Sequence, residues 1–342
     1  MKIKSLQIKN FKSIEDLVLI EPNPFSVFVG PNGAGKSNIF EALEFATYLS
    51  KMPPNAVMRY FGEPKDFFRS RPFSFKIDFG TEPWLQSYIE LDKFNEVEGK
   101  ISNKTETINF LSTDAYYLQD ALKDITHPYE TKEYNQFFKK LYKIFIGNSS
   151  KRTSVYDDNN NYVVTDGSNQ EKVLKRLFQN NVLKDEIVDW LRILIPEFKD
   201  IEIKTSELGG EVSFVIYEMS TNKPFPKYLI SDGTKNILAL LTAVYQSDEP
   251  QFLCIEEPEN GLHPYVIEAL VGIFRNACKE KGHYIWLNTH SETLVRQLTI
   301  DEIIVVDKKN GSTRARQFQG QDLFGLEMDE AWLTNALGGG LP

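Results

Sequence analysis

Eight consecutive residues, Gly30-Pro31-Asn32-Gly33-Ala34-Gly35-Lys36-Ser37, carry the strongest chemical signal in the chain. They match the pattern G-x-x-x-x-G-K-[ST], a loop that binds phosphate. Glycines allow successive backbone N–H groups to turn inward onto phosphate oxygens. The helix that follows adds the partial positive charge of its N-terminus. Lys36 is then placed to reach the β- and γ-phosphates of a nucleotide, and the Ser37 hydroxyl to bind Mg²⁺. The nucleotide-binding set read from this stretch is Asn32, Gly33, Ala34, Gly35, Lys36, Ser37 and Asn38.

Three further stretches fit the same chemistry. Phe252-Leu253-Cys254-Ile255-Glu256-Glu257-Pro258 is an apolar run ending in two carboxylates. The first, Glu256, stands where nucleotide hydrolases usually hold Mg²⁺ with an Asp, and is one methylene longer. The second, Glu257, is placed to polarise an attacking water as the catalytic base. Ser231-Asp232-Gly233-Thr234 opens a helix; this is ordinary capping or an anion site for a second nucleotide's γ-phosphate. Asn288-Thr289-His290-Ser291 ends another apolar run, and His290 there is either a turn residue or a contact for the γ-phosphate and water. His263 is read as an interface residue or a plain turn residue, and His127 and His283 as surface residues.

These residues need strands and helices to position them. Phe25–Val29 reads as a strand entering the loop, and Ile39, Leu43, Ala46 and Leu49 repeat at helical spacing after it, to about Lys51 and the Pro53-Pro54 stop. Residues 3 to 20 read as two strands of a small antiparallel sheet. Phe67-Phe68-Arg69-Ser70-Arg71-Pro72 follows, then strand-like runs near Ser74–Phe79, Ser87–Lys93 and Thr105–Leu111. Tyr134–Ile146 has aromatics and lysines at helical spacing. Asp157-Asp158-Asn159-Asn160-Asn161 is turn-rich, and Glu171–Leu194 reads as one or two amphipathic helices. Strands return at Ile201–Ile203 and Val212–Tyr217, with Gly209-Gly210 as the hairpin signal. Ile237–Tyr245 and Val266–Lys279 read as helices. Phe252–Ile255, Tyr284–Leu287 and Ile303–Val306 read as buried strands. The alternation predicts an α/β fold, a mixed sheet with a parallel core.

The 342 residues are 41% apolar and 25% charged, with net charge -9. Global electrostatics therefore do not draw the chain to nucleic acid, and any such contact needs a local basic patch or a partner. No apolar run approaches bilayer length, and the N-terminus carries no signal-peptide core. No membrane contact and a cytoplasmic location are expected. The two cysteines, Cys254 and Cys278, suggest neither a disulfide framework nor a metal site.

The order of motifs resembles ABC-type ATPases, and among them the RecF, SMC and OLD group. Leu6-Gln7-Ile8-Lys9-Asn10-Phe11-Lys12-Ser13-Ile14 is similar to that group's first strand and turn. Ser231–Thr234 is similar to its signature motif, Glu256–Pro264 to its Walker B and D-loop, and Asn288–Ser291 to its His switch. Asp166-Gly167-Ser168-Asn169 and Ile195-Pro196-Glu197 look like the insertion of OLD-type ATPases. The resemblance implies an ATPase head over 1–111 and 199–310 with an N-terminal antiparallel sheet, a helical insertion over 112–198, and a C-terminal tail over 311–342. A Q-loop glutamine is not placed; Gln86 is the candidate. No long coiled coil follows. The stretch of about 30 residues after the last core strand is too short for the OLD group's nuclease domain, so a nuclease in this chain is not expected.

By the same resemblance, two copies close head to head around ATP and Mg²⁺, each nucleotide lying between one copy's Gly30–Ser37 and the other's Ser231–Thr234. Lys36, Glu257 and His290 are the catalytic residues, and Ser37 and Glu256 hold the metal. The expected role is an ATPase of a defence or DNA-transaction system, a homodimer or higher homo-oligomer that controls a nuclease or toxin in trans. The alternative is a stand-alone RecF-like repair ATPase that binds DNA itself. A transporter subunit is disfavoured, and a nucleotide-gated scaffold without turnover is the remaining reading. The tail from Leu326 to Leu337 reads as a short amphipathic helix that packs on its own domain or docks a partner.

Overall fold

The strand that delivers the glycine loop lies inside a sheet whose other strands come from distant parts of the chain. A computed structural model describes residues 2–49, 54–62, 73–79, 85–91, 97–102, 107–112, 140–145, 161–206, 210–221, 223–321 and 325–337. The expectations for Phe67–Pro72, His127, Tyr134, Asp157–Asn160 and Gly209 lie outside the described residues.

The chain opens with β1 (Ile3–Phe11), β2 (Ile14–Ile20) and β3 (Phe25–Val29), then helices α1 (Lys36–Leu49) and α2 (Pro54–Phe61). Next come β4 (Phe73–Phe79), β5 (Leu85–Leu91), β6 (Val97–Ser102), β7 (Thr107–Ser112) and β8 (Leu141–Phe145). Helices α3 (Gln170–Leu177) and α4 (Asn181–Leu194) precede β9 (Phe198–Thr205), β10 (Val212–Glu218) and β11 (Phe225–Pro226). The last part alternates: α5 (Asp232–Tyr245), β12 (Phe252–Glu256), α6 (Pro264–Lys281), β13 (Tyr284–Asn288), α7 (Glu292–Arg296), β14 (Ile303–Lys309), β15 (Ser312–Gln317) and α8 (Met328–Leu333).

The central sheet runs β15-β14-β3-β13-β12-β8, with every pair parallel except β14 with β15. Alternate side chains of its buried strands serve two cores. Phe28, Phe252, Cys254, Tyr284, Trp286, Ile304 and Val306 face α1 and the sheet β2-β1-β4-β5-β6-β7. Val27, Val29, Leu253, Ile255, Ile285, Leu287, Ile303 and Val305 face α5, α6 and α7. Burying each such large side chain stabilises the fold by roughly 1.5–3 kcal/mol. Covered on both faces, the strands read as continuous apolar runs, which is why their sequence identified them.

The α/β architecture with its parallel core and N-terminal antiparallel sheet is as expected. Three local readings change. The described part of Tyr134–Ile146 is the strand β8, parallel to β12, with Lys143 level with Cys254. Edge strands are short, and five residues of mixed aromatic and lysine character carry no period that separates strand from helix. His283 is buried, not at the surface. Within the interval 311–342, β15 joins the central sheet and α8 puts Met328 and Trp332, with Leu337 beyond it, into the helix-side core.

Candidate functional site

Backbone conformation at the loop explains its glycines. Gly30 has φ +149°, and a Cβ there would lie 2.0 Å from the Val306 carbonyl oxygen. Gly35 has φ +101°, and a Cβ would lie 2.1 Å from Thr313 Oγ1. The loop is therefore pressed from behind by β14 and the β14–β15 hairpin. Thr313 Oγ1 donates to the Ala34 carbonyl at 2.8 Å and lies 2.6 Å from Ser13 Oγ. Asn38 Nδ2 donates to the same Ser13 oxygen at 2.6 Å, so its side chain braces the loop from the β1–β2 turn. Lys36 Nζ donates to the Gly30 and Pro31 carbonyls at 2.7 and 3.2 Å. Burial draws the Lys36 ammonium down to about 8, opposed by Glu257 and Glu259.

Ser37 opens α1 with its hydroxyl donating to Glu256 Oε2 at 2.7 Å. Asn288 Nδ2 donates to the same carboxylate oxygen at 3.3 Å and to Ser37 Oγ at 3.4 Å. The other oxygen, Oε1, takes the Lys143 ammonium at 2.8 Å. Burial pushes the Glu256 carboxyl up, but Lys143 and the bonds from Ser37 and Asn288 outweigh it and hold the group below its usual range. Glu256 is thus a carboxylate, and with Ser37 it forms a pair of hard oxygen donors at the mouth of the loop.

Glu257 leaves the strand at φ +46°, a left-handed conformation that a non-glycine residue adopts at a cost. Its N–H donates to the Asn288 carbonyl at 3.0 Å and to Asn288 Oδ1 at 3.2 Å, which holds that conformation. Asn260 Nδ2 donates to Glu257 Oε2 at 3.0 Å. Glu259 Oε1 accepts from Thr289 Oγ1 at 2.5 Å and from the His290 N–H at 3.2 Å, tying the turn after β12 to the turn after β13. Burial raises the Glu259 carboxyl against those bonds. Burial, then the Lys36 charge, lowers His290 against the pull of Glu257, so the imidazole is neutral at pH 7.

Ser231 caps α5, its Oγ accepting from the Thr234 N–H at 3.1 Å, and the Asp232 side chain is 96% exposed. Asn236 Nδ2 donates to the Pro258 and Asn260 carbonyls at 3.1 and 2.8 Å. A Cβ on Gly233 would lie 2.6 Å from the Gly261 oxygen. Among the described residues no hydrogen bond or ion pair joins Ser231–Thr234 to Gly30–Ser37. His263 caps α6, its Nδ1 accepting from the Tyr265 N–H at 3.3 Å.

The structure thus brings Lys36, Ser37, Glu256, Glu257 and His290 to one end of the parallel sheet, while among the described residues Ser231–Thr234 makes no hydrogen bond or ion pair with them. Gln86 pairs with Asp78 in the antiparallel sheet, while the strand next to Glu256 is β8. Sequence reasoning passed over Lys143, whose strand was read as helical. It gave Asn288 and Glu259 no role, although both stood inside quoted motifs. A triphosphate with Mg²⁺ fits these groups: a glycine loop with positive φ at Gly30, Gly33 and Gly35, the Lys36 ammonium, and a hydroxyl and an ionised carboxylate 2.7 Å apart.

Residues 25–296 match the family model described as "AAA domain, putative AbiEii toxin, Type IV TA system". An "ATP/GTP phosphatase" of Helicobacter pylori is 22% identical over 372 residues, covering 97% of this chain and 94% of that protein. An "OLD nuclease" of Thermus scotoductus is 34% identical over 114 residues, 32% of this chain but 19% of the nuclease. In fold, the chain is similar to the Smc head domain with an extended coiled coil bound to the C-terminal domain of ScpA, from Pyrococcus furiosus. That likeness has TM-score 0.58 and 15% identity, covering 92% of this chain and 96% of the other.

Proposed function

Because this chain belongs to the family described as "AAA domain, putative AbiEii toxin, Type IV TA system", we propose that it is the ATP-driven regulator of a defence or DNA-transaction system, closing as a homodimer around ATP to control a nuclease or toxin partner. It is an ABC-type ATPase of the RecF, SMC and OLD group, an enzyme that hydrolyses ATP. The homodimer, the partner and the defence role are the proposed part.

In this reading Asn32–Asn38 hold the phosphates through backbone N–H groups, and Lys36 exchanges its loop carbonyls for phosphate oxygens. Ser37 and Glu256 would hold Mg²⁺, which when bound neutralises charge that develops in phosphoryl transfer. Glu257, off that pair but beside it, takes the water's proton. His290, neutral, orients the water or contacts the γ-phosphate. Asn288 fixes the Glu256 carboxylate and the Glu257 backbone relative to Ser37.

One observation carries the dimer. The Ser231–Thr234 helix start is docked on its own chain's 258–261 segment through Asn236 and Gly233, with Asp232 exposed. Exposed, and without a hydrogen bond or ion pair to its own loop among the described residues, this helix start suits the nucleotide of a second copy. The family's description, which names a putative toxin and a TA system, supports a role in a system of more than one component. The net charge of -9 argues against unaided binding of bare DNA.

The test is the solution mass of Glu257→Gln with and without ATP and Mg²⁺. This variant binds ATP but lacks the base, so its mass is expected to double when both are added. A variant that binds ATP and keeps its mass would sink the dimer.

A further inference from the structure

Lys143 stands on β8, level with Cys254 on β12, so its side chain shares the face on which Glu256 meets α1. Its ammonium lies 2.8 Å from Glu256 Oε1 and 3.8 Å from the Glu44 carboxylate. All three side chains are at most 10% exposed. Two buried carboxylates therefore share this ammonium, and the two oxygens of Glu256 are divided: Oε1 to Lys143, Oε2 to Ser37 and Asn288. The extra methylene of Glu over Asp gives the carboxylate room to rotate, and a charge-assisted bond to Lys143 removes that freedom.

The geometry points to Lys143 as a positioning residue that decides which divalent cation the site accepts: with Oε1 held by the lysine, Glu256 offers only Oε2 beside Ser37. A single carboxylate oxygen suits Mg²⁺, which is small and demands near-octahedral ligands. Ca²⁺ takes more oxygens at longer distance and uses bidentate carboxylates. Freeing Oε1 removes the discrimination. The inference rests on the reading of Ser37 and Glu256 as the metal pair.

The experiment uses the full chain and a fluorescent, slowly hydrolysed ATP analogue. Nucleotide binding is followed as Mg²⁺ or Ca²⁺ is titrated, and the half-saturating concentrations give a preference ratio. The variant is Lys143→Met with Glu44→Gln, which removes one charge of each sign and so keeps the local charge balance. It is expected to reduce the preference for Mg²⁺ about tenfold, the scale of one charge-assisted hydrogen bond. Glu44→Gln alone keeps the wild-type ratio. A double variant with the wild-type ratio overturns the inference. If that variant gives no cooperative melt, Lys143→Arg replaces it. A guanidinium keeps a charge-assisted bond on Oε1, so the ratio stays as in wild type, and a shift toward Ca²⁺ overturns the inference. Wild-type binding that needs neither metal would instead overturn the metal pair itself.

Discussion

His283 shows how burial recasts a residue that the sequence left without context. It lies at the head of β13, fully buried, with Nε2 3.3 Å from the Val244 carbonyl and 3.2 Å from Gln251 Nε2. Burial lowers its pKa to about 4. The unfolded chain takes up the proton near 6.5, so the folded state loses stability as pH falls from about 6.5 to about 4. The slope is at most about 1.4 kcal/mol per pH unit. His283→Gln should flatten that window relative to wild type in urea titrations; parallel curves would show that the histidine is not its source. The glycine loop and the carboxylate pair were legible because their chemistry depends on neighbours in sequence. Lys143 was not, because what makes it matter is Glu256, which reaches it only through the pairing of β8 with β12.

At the scale of elements, the loop is held by a hairpin as well as by its own helix. Thr313, fully buried, links Ala34 to Ser13. Thr313→Ala leaves the Ala34 carbonyl and the Ser13 hydroxyl short of that partner. A loss of about 1–3 kcal/mol is expected, with nucleotide affinity falling about tenfold; a lower urea midpoint with unchanged affinity would mean that the hairpin supports the fold but not the loop. The buried strands and the helices α5 and α6 were legible from apolar runs and helical period. The reach of the antiparallel sheet was not: β6, Val97–Ser102, holds Gly99 and Lys100 among polar neighbours, and its place is set by β5 and β7. A terminal helix was legible, read over Leu326–Leu337 where α8 spans Met328–Leu333. That it packs inward, with Asp329 paired to Arg296 at 2.5 Å, depended on a surface that only the fold creates.

For the whole molecule, the sheet order interleaves the ends of the chain. β3 lies between β13 and β14, and β2 is linked to β15 through Ile20 and Gln317. A chain ending at Lys309 is therefore expected to lose both nucleotide binding and its cooperative calorimetric transition; wild-type affinity in that truncation would show that the segment after β14 is dispensable. The same interleaving sets an order of events during synthesis. The residues that grip phosphate leave the ribosome before the strands that flank β3 and the threonine that braces its loop. A nascent chain carries the loop's sequence through the synthesis of β4 to β13 without being able to form the pocket, so the first ATP it can hold marks a chain that already includes β15.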